Sequence, residues 1–433
     1  MPTLPPAPAP RPRALHSPAF RLLWLTMVGA NGGRWAFTMM ASWLAFVLTH
    51  SPGWVGLTMF ALQIPFVIVS PLTGVLADRI ARTRLLIGAL GISALAALAT
   101  LALMAAHVLT PPLLVLLAFA MGVGGTVQST AQNALLPMAV PEGALFEAFA
   151  LQGTARQGAE FFGPAIVSPI LALFGGVAAL AGVAALYLVG VVPALWLRGP
   201  GERAVTAARG GVRGDLGMLM DGVGYVRQSD LLLPTLVLVA CHCLLTMAYM
   251  GMLPSLATAA GIRGDAAYGG LMTTVGLGAV VGTLLVATAG RRAHPGRLLW
   301  LLSILSGVGM AALGAARGDT PLLMAAFLAG GATASFMAVA AARIQASTAE
   351  AMRGRVTSLY LMLAGGAMAI GNWAYGDLAT VFAVRAIPIA AGALFVAIVA
   401  AGSAWSRPVR RIYGQPAPAP LLAAGLVSGA QAP

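Results

Sequence analysis

The chain has 433 residues, of which 59% are hydrophobic and only 9% are charged, and its formal net charge is +13. About a quarter of the residues of soluble domains are charged, so this composition excludes a soluble globular protein and indicates one embedded in a membrane. The long apolar runs also exclude a transmembrane barrel, which would need short strands of alternating polarity.

Apolar runs long enough to cross a bilayer follow one another along most of the chain. A spanning helix needs about 20 mainly apolar residues, and short breaks rich in Pro, Gly and Asp separate the runs. The expected fold class is therefore an all-α membrane protein. We predict twelve transmembrane helices, at residues 20–48, 54–76, 85–107, 112–134, 145–173, 177–197, 231–257, 267–289, 298–316, 320–341, 358–380 and 386–405.

The basic residues indicate the orientation of these spans. The chain contains no lysine, so all 25 basic residues are arginine. Twenty of them fall in the terminal segments and in the alternate loops that the spans place on one side of the membrane. Cytoplasmic loops are enriched in basic residues, so we expect both termini in the cytoplasm. Topology thus accounts for the net charge, and no nucleic-acid partner is needed to explain it.

A weak internal repeat divides the chain into two halves. Arg84-Leu85-Leu86 recurs as residues 297–299 and Gln132 matches Gln345, both at an offset of 213 residues. Transporters built from two such halves bind their substrate between them, near the middle of the bilayer. We predict a disordered cytoplasmic N-terminus at 1–19, an N-terminal six-helix half at 20–197, a central cytoplasmic loop at 198–230, a C-terminal six-helix half at 231–405 and a disordered cytoplasmic tail at 406–433.

A short motif at the end of span 2 resembles a known family. Residues 74–79 read GVLADR and are followed by Arg82 and Arg84, which is similar to the signature between helices 2 and 3 of the major facilitator superfamily. The stretches THSPGWVGL (49–57), QNALLPMAVPEGAL (132–145), FFGPA (161–165) and MRGRVTSLY (352–360) resemble the branch that contains enterobactin exporters and macrolide efflux proteins. The resemblance implies the pseudo-symmetric major facilitator fold, a bacterial cytoplasmic (inner) membrane, and export of a drug, macrolide or siderophore-like molecule.

The same motif predicts a conformational latch between the halves. Gly74 permits close helix approach, and Asp78, flanked by Arg79 and Arg82, supplies an anion at the membrane edge. The positive end of span 11, or Arg355 itself, could receive that anion. The latch would favour the conformation closed to the cytoplasm. The alternative is that these basic residues only anchor the topology.

Three charged residues are predicted inside the bilayer. Arg34 lies within span 1, and Arg156 and Glu160 lie four residues apart on one face of span 5. A central charge costs an isolated helix about 2.5–3.5 kcal/mol, so such residues usually face a cavity or a partner. We predict that Glu160 is the proton carrier, that Arg156 is its neighbour, and that Arg34 reaches the same cavity. Two arginines against one carboxylate also favour an anionic or partly anionic substrate. The alternative is a static intrahelical pair.

Other polar and aromatic residues at similar depth are candidates to line the cavity, although most large residues in such helices pack or face lipid. Gly163 and Pro164 of span 5 predict a helix bend or a tight contact. Cys241 and Cys243 flank His242, but alternate residues of a helix point to different faces, so we expect no metal site. The candidate substrate-binding residues are Arg34, Asn31, Gln63, Gln128, Gln132, Trp35, His242, Phe336, Asn372 and Trp373.

The leading hypothesis is a monomeric secondary transporter that exports an amphipathic small molecule by alternating access, in exchange for protons. A facilitator or importer of a metabolite or lipid is a second reading, because the sequence does not give the direction of transport. A non-transporting membrane receptor or assembly factor is a third. An enzyme is not expected, since no phosphate-binding loop, nucleophile constellation or metal-ligand cluster is present. With no ATP-binding motif and no cofactor, an ion gradient should supply the energy.

Overall fold

The structure, a computed structural model, describes residues 14–70, 72–73, 80–141, 143–197, 212–261, 265–289, 294–405 and 407–414. The regular elements of this part of the chain are all helical. The α-helices are α1 (Pro18–Thr49), α2 (Pro52–Gln63), α3 (Pro65–Ile68), α4 (Arg82–Ala105), α5 (Pro111–Ala139), α6 (Leu145–Leu195), α7 (Val212–Arg227), α8 (Leu232–Leu245), α9 (Leu253–Ala259), α10 (Asp265–Ala289), α11 (Pro295–Ala315), α12 (Asp319–Ala346), α13 (Arg353–Val381), α14 (Ala386–Trp405) and α15 (Arg407–Gly414).

Proline and polar caps set many of the helix starts. Pro18, Pro52, Pro111 and Pro295 each occupy the first turn of a helix, where a missing N–H costs no hydrogen bond. Before α1, the Ser17 hydroxyl accepts a hydrogen bond from the backbone N–H three residues later at 3.3 Å. This bond satisfies one of the free donors at the helix terminus.

Eight helices of the described chain are long and apolar enough to cross a membrane, which confirms a multi-pass membrane protein. One of them, Glu147–Leu195, is 49 residues long and is interrupted at Gly175, whose φ of +79° and ψ of −179° are not helical. Glycine adopts a positive φ without steric cost, so this residue can divide α6 into two arms.

Two of the predicted spans are broken helices. Pro65 interrupts the regular hydrogen bonding between α2 and α3; residues 70, 72 and 73 are helical again, and the Thr73 N–H donates to the Val69 carbonyl at 3.0 Å. Between α8 and α9 the chain forms one turn of 3-10 helix at Ala248–Gly251. Pro254 then lies in the first turn of α9. Spans 2 and 7 were therefore predicted as continuous helices where the structure has interruptions.

The helices pack in two groups that touch along two lines. In the first group α1 packs along α6, and α4 packs against α5; in the second, α10 packs against α12, and α11 against α14 and α12. The groups meet where α2 contacts α13 and where α6 contacts α10. One core cluster contains only residues up to Leu197, a second only residues from Val226 onward, and a third draws on both groups.

The segments predicted to be disordered, 1–19 and 406–433, each include residues that the structure describes as helical. Residues Ala14–His16 form a 3-10 turn and α1 begins at Pro18, because Ala14 is buried and its N–H donates to the Glu147 carboxylate at 3.0 Å. At the other end, residues Arg407–Gly414 form α15. Ile412 is buried there against the second helix group.

Candidate functional site

Arg34 lies inside the first helix group with a defined set of partners. Its guanidinium donates a hydrogen bond to Gln63 Oε1 at 3.3 Å and lies 4.6 Å from the centre of the Phe66 ring. A cation over an aromatic face is stabilised by about 0.5–2 kcal/mol, depending on desolvation. Gly125 of α5 faces the same side chain and leaves room for it. The Gln63 amide and the Phe66 ring therefore stabilise the charge of Arg34.

Gln63 links this group to the other half of the bundle. Its Nε2 lies 3.8 Å from the sulfur of Met368 on α13. Phe66, one turn further along, packs against α13 at Gly365, where an added Cβ would lie 2.9 Å from the Phe66 side chain. The Arg34 partners therefore belong to the interface between α2–α3 and α13.

Glu160 lies at the second line of contact between the groups. An added Cβ on Gly276 of α10 would lie 2.7 Å from the Glu160 backbone oxygen, so α6 and α10 touch directly at this level. Glu160 interacts electrostatically with Arg156, one helical turn earlier, and with Tyr249 of the 3-10 turn in the other group. Arg156 is exposed and lies within electrostatic range of Arg34. Whether these three charges serve one cavity stays a prediction.

The described contacts between the groups concentrate toward one end of the bundle, the end that holds residues 49–51, 106–110 and 316–318. We call this end the arginine-poor side and the opposite end, which holds Arg21, Arg82 and Arg227, the arginine-rich side. The Ser42 hydroxyl donates to the Met250 carbonyl at 3.1 Å. Gly56 and Gly376 pack backbone to backbone in the same region.

Several predicted substrate ligands have partners within the protein in this conformation, and their contact with substrate stays a prediction. His242 is fully buried, stacks on Phe336 with ring centres 3.9 Å apart, and has its Nδ1 2.8 Å from the Thr246 hydroxyl. Phe336 is also fully buried, so both belong to the core of the second group in this conformation. Asn372 accepts a hydrogen bond from the Gly251 N–H at 2.9 Å, and this bond holds the interruption between α8 and α9.

The remaining candidates vary in their surroundings. Asn31 donates to the Met27 carbonyl of its own helix at 2.8 Å, and Trp35 is partly buried. Gln128 and Gln132 are buried, and the Gln132 Nε2 has no hydrogen-bond partner among the described residues. Trp373 is 50% exposed and pairs with a ring of α2.

The predicted latch is described only in part, because Gly74, Asp78 and Arg79 lie outside the described residues. Arg82 donates to the carbonyl of Ala134 at 3.2 Å. Arg355 contacts the carboxylate of Asp221 on α7 at 3.5 Å. The pairing of Arg355 with the motif stays a prediction, and the partner that the structure describes for Arg355 is Asp221 of α7.

The predicted bend at Gly163 and Pro164 corresponds to a close contact. Both residues lie within helical backbone of α6, and the kink of this helix is at Gly175. A Cβ on Gly163 would lie 2.5 Å from the Gly32 carbonyl of α1. Glycine therefore lets the two helices approach at the level of Arg34.

Residues 11–418 match the family model described as transmembrane secretion effector, a branch of the major facilitator superfamily. The chain belongs to this family of membrane transporters. This transporter is accordingly not expected to act as an enzyme, and transport is its function. A search of curated proteins found no match to its sequence.

Solved structures of other transporters share the fold of this transporter. A nucleoside transporter NupG mutant is 16% identical with a TM-score of 0.72, covering 90% of this chain and 100% of its own. A peptide transporter POT in complex with sulfate is 12% identical with a TM-score of 0.69, covering 91% of this chain and 95% of its own. These identities are low, so the likeness shows the fold alone.

Sequence reasoning missed part of the Arg34 environment in this transporter. Phe66 and Met368 were not among the candidates, although Phe66 follows Gln63 by three residues and so shares its helix face. Tyr360, which interacts electrostatically with Arg156, was also missed. Only the local spacing of Phe66 offered a signal, because Met368 and Tyr360 come from the other half of the chain.

Proposed function

We propose that this transporter is a proton-coupled exporter of an amphipathic small molecule, with Glu160 as its proton carrier. The observation that carries this proposal is the place of Glu160 at the contact between α6 and α10. Alternating access moves one half of such a protein against the other. A carboxyl at the contact line changes its surroundings in that movement, and its protonation can follow.

The neighbours of Glu160 fit this role. Arg156 lies on the same helix and moves with Glu160, whereas Tyr249 belongs to the 3-10 turn of the other half and interacts with the same carboxyl. Separation of the halves would remove Tyr249 and admit water while Arg156 stays. The inward proton flow would then be exchanged for outward movement of substrate.

The topology that we propose has twelve crossings, with both termini in the cytoplasm of a bacterial inner membrane. The eight apolar helices become nine when α6 is divided at Gly175. Helices α1 and α13, and the broken pair α2–α3, supply the other three. The described contacts between the halves lie toward the arginine-poor side, which supports a conformation closed to the outside.

The chemistry of the two halves supports an amphipathic substrate. The first half contributes Arg34 and Arg156, which suit an anionic or hydrogen-bond-accepting group. The second half contributes methionines that keep part of their surface exposed, Met247, Met337, Met362 and Met368. Flexible thioether side chains adapt to varied apolar shapes, so the substrate would combine a polar pole with an apolar body. The family description, transmembrane secretion effector, favours export.

Transport in proteoliposomes with an internal pH dye tests the proposal. A panel of macrolides, dyes and catecholate siderophores would be offered under an imposed pH gradient, to wild type and to Glu160→Gln. We expect substrate-dependent proton movement in wild type and its loss in Glu160→Gln, because the amide keeps the shape but carries no titratable proton.

The matched control is Glu147→Gln, on the same helix, since the hydrogen bond described for the Glu147 carboxylate comes from the Ala14 N–H and an amide oxygen can still accept it. The control should keep proton movement. Substrate movement in wild type without proton flux would make the protein a facilitator. Equal proton coupling in wild type and Glu160→Gln would remove Glu160 from the mechanism.

A further inference from the structure

A cavity lies away from the contact between the halves, at the arginine-rich end of α11. It has a volume of about 440 Å³ and is lined by Arg297, Trp300, Leu301 and Tyr413. The backbone of α15 closes it on one side, because Gly296 packs directly under the Tyr413 carbonyl. Trp300 and Leu301 are 38% and 47% exposed. The cavity is thus an apolar recess that opens on the surface of the bundle.

Charge at the mouth of this recess is positive. Arg297 is exposed and has no hydrogen bond or ion pair within the described part of the chain. On α15, Arg411 is held by Asp230 at 2.7 Å, and Arg410 is exposed. Guanidinium groups bind phosphate oxygens in a planar two-bond geometry. Trp and Tyr are the aromatic residues that favour the membrane–water interface.

Tyr413 lines the cavity with its aromatic ring, while its hydroxyl is turned away from the opening. The residue is 8% exposed, and the hydroxyl is fully buried and lies near Ser303. Burial raises the pKa of Tyr413 to about 12, so the hydroxyl keeps its proton at neutral pH. A molecule in the recess would therefore contact the ring of Tyr413 and not its hydroxyl.

We infer that this recess binds one anionic phospholipid, with its phosphate at Arg297 and an acyl chain along Trp300, Leu301 and the ring of Tyr413. Basic pockets between membrane helices on the cytoplasmic side suit anionic lipid headgroups. The recess combines that charge with an apolar floor and an opening on the surface of the bundle. This inference does not depend on proton coupling or on the substrate.

Native mass spectrometry of the full chain tests the inference, with phosphatidylglycerol and phosphatidylcholine as probes. We expect wild type to retain one phosphatidylglycerol and to bind phosphatidylcholine at least tenfold more weakly. Arg297→Gln should weaken phosphatidylglycerol about tenfold, since it removes a charge-assisted contact. Tyr413→Phe, which removes only the buried hydroxyl and keeps the ring, should change phosphatidylglycerol retention less than twofold. The control Arg84→Gln removes an exposed arginine of the same side, outside the cavity, and should change retention less than twofold.

Other outcomes would overturn the inference. An equal loss in Arg84→Gln and Arg297→Gln would show general attraction of anionic lipid to the arginine-rich side. Competition by inorganic phosphate, with no need for an acyl chain, would show a soluble anion site instead of a lipid site. Equal retention of both lipids would show an apolar recess without headgroup selection.

Discussion

Substitution of Gly56 by alanine should open the arginine-poor side. A Cβ at this position would lie 2.6 Å from the Asn372 carbonyl oxygen and 2.8 Å from the Gly376 Cα. Ordinary contact begins near 3.4 Å, so α2 and α13 must separate by the difference, about 0.8 Å. Overpacking of this kind costs about 1–3 kcal/mol. Because the clash exists only where the halves touch, that cost falls on the conformation closed at this side.

The expected shift in the conformational equilibrium is therefore about 5- to 150-fold toward opening at the arginine-poor side. Spin labels on Thr110→Cys and Arg317→Cys, which replace exposed residues of the two halves on this side, report the separation by pulsed dipolar spectroscopy. The background would carry Cys241→Ser and Cys243→Ala so that only the labelled positions react. A longer distance component should grow in Gly56→Ala.

The matched control is Gly88→Ala on α4, where an added Cβ meets nothing within 4 Å. Both substitutions raise intrinsic helix stability by about 1 kcal/mol, so the control removes that effect from the comparison. An unchanged distance distribution in Gly56→Ala would refute the reasoning, since it would mean that the Gly56–Gly376 approach does not limit closure.

Two further substitutions separate buried from exposed contacts. Gln63→Leu removes the acceptor that Arg34 uses at 3.3 Å and should lower the free energy of unfolding by about 1–3 kcal/mol, measured as a lower thermal unfolding midpoint. The control Gln345→Leu replaces an exposed residue and should leave the midpoint nearly unchanged. Equal midpoints in the two variants would contradict the role of Gln63. Arg411→Gln should cost at most about 1 kcal/mol, because its ion pair with Asp230 joins side chains that are 58% and 78% exposed; a larger loss would show that α15 depends on this pair.

Helix content was readable from the sequence because it depends on local composition. The apolar runs predicted helices whose ends lie close to the observed ones, as at 386–405, which is α14. The interruption between α8 and α9 was not predicted, although Gly251 and Pro254 mark it. Its geometry depends on Asn372, more than a hundred residues away, which accepts the Gly251 N–H. A local pattern cannot report a partner at that separation.

Within the candidate site, the sequence identified only the residues whose charge is costly to place inside a membrane. An arginine or glutamate within an apolar run is conspicuous, so Arg34 and Glu160 could be selected from sequence alone. His242 was selected by the same reasoning of polarity at depth, yet it lies fully buried against Phe336. Polarity shows that a residue needs a partner, but it does not distinguish a partner within the core from one in a cavity. Burial decides this, and burial follows from the packing of distant helices.

The glycines beside Arg34 bear on how Glu160 could be coupled to movement. An added Cβ on Gly29 would lie 2.5 Å from the Gly190 nitrogen, and one on Gly163 would lie 2.5 Å from the Gly32 carbonyl. Helix α1 thus packs closely against both arms of α6, so the backbones that carry Arg34, Arg156 and Glu160 belong to the same half. Under the proposed mechanism, the change that Glu160 senses must therefore come from the other half, through α10 and the interrupted α8–α9 segment.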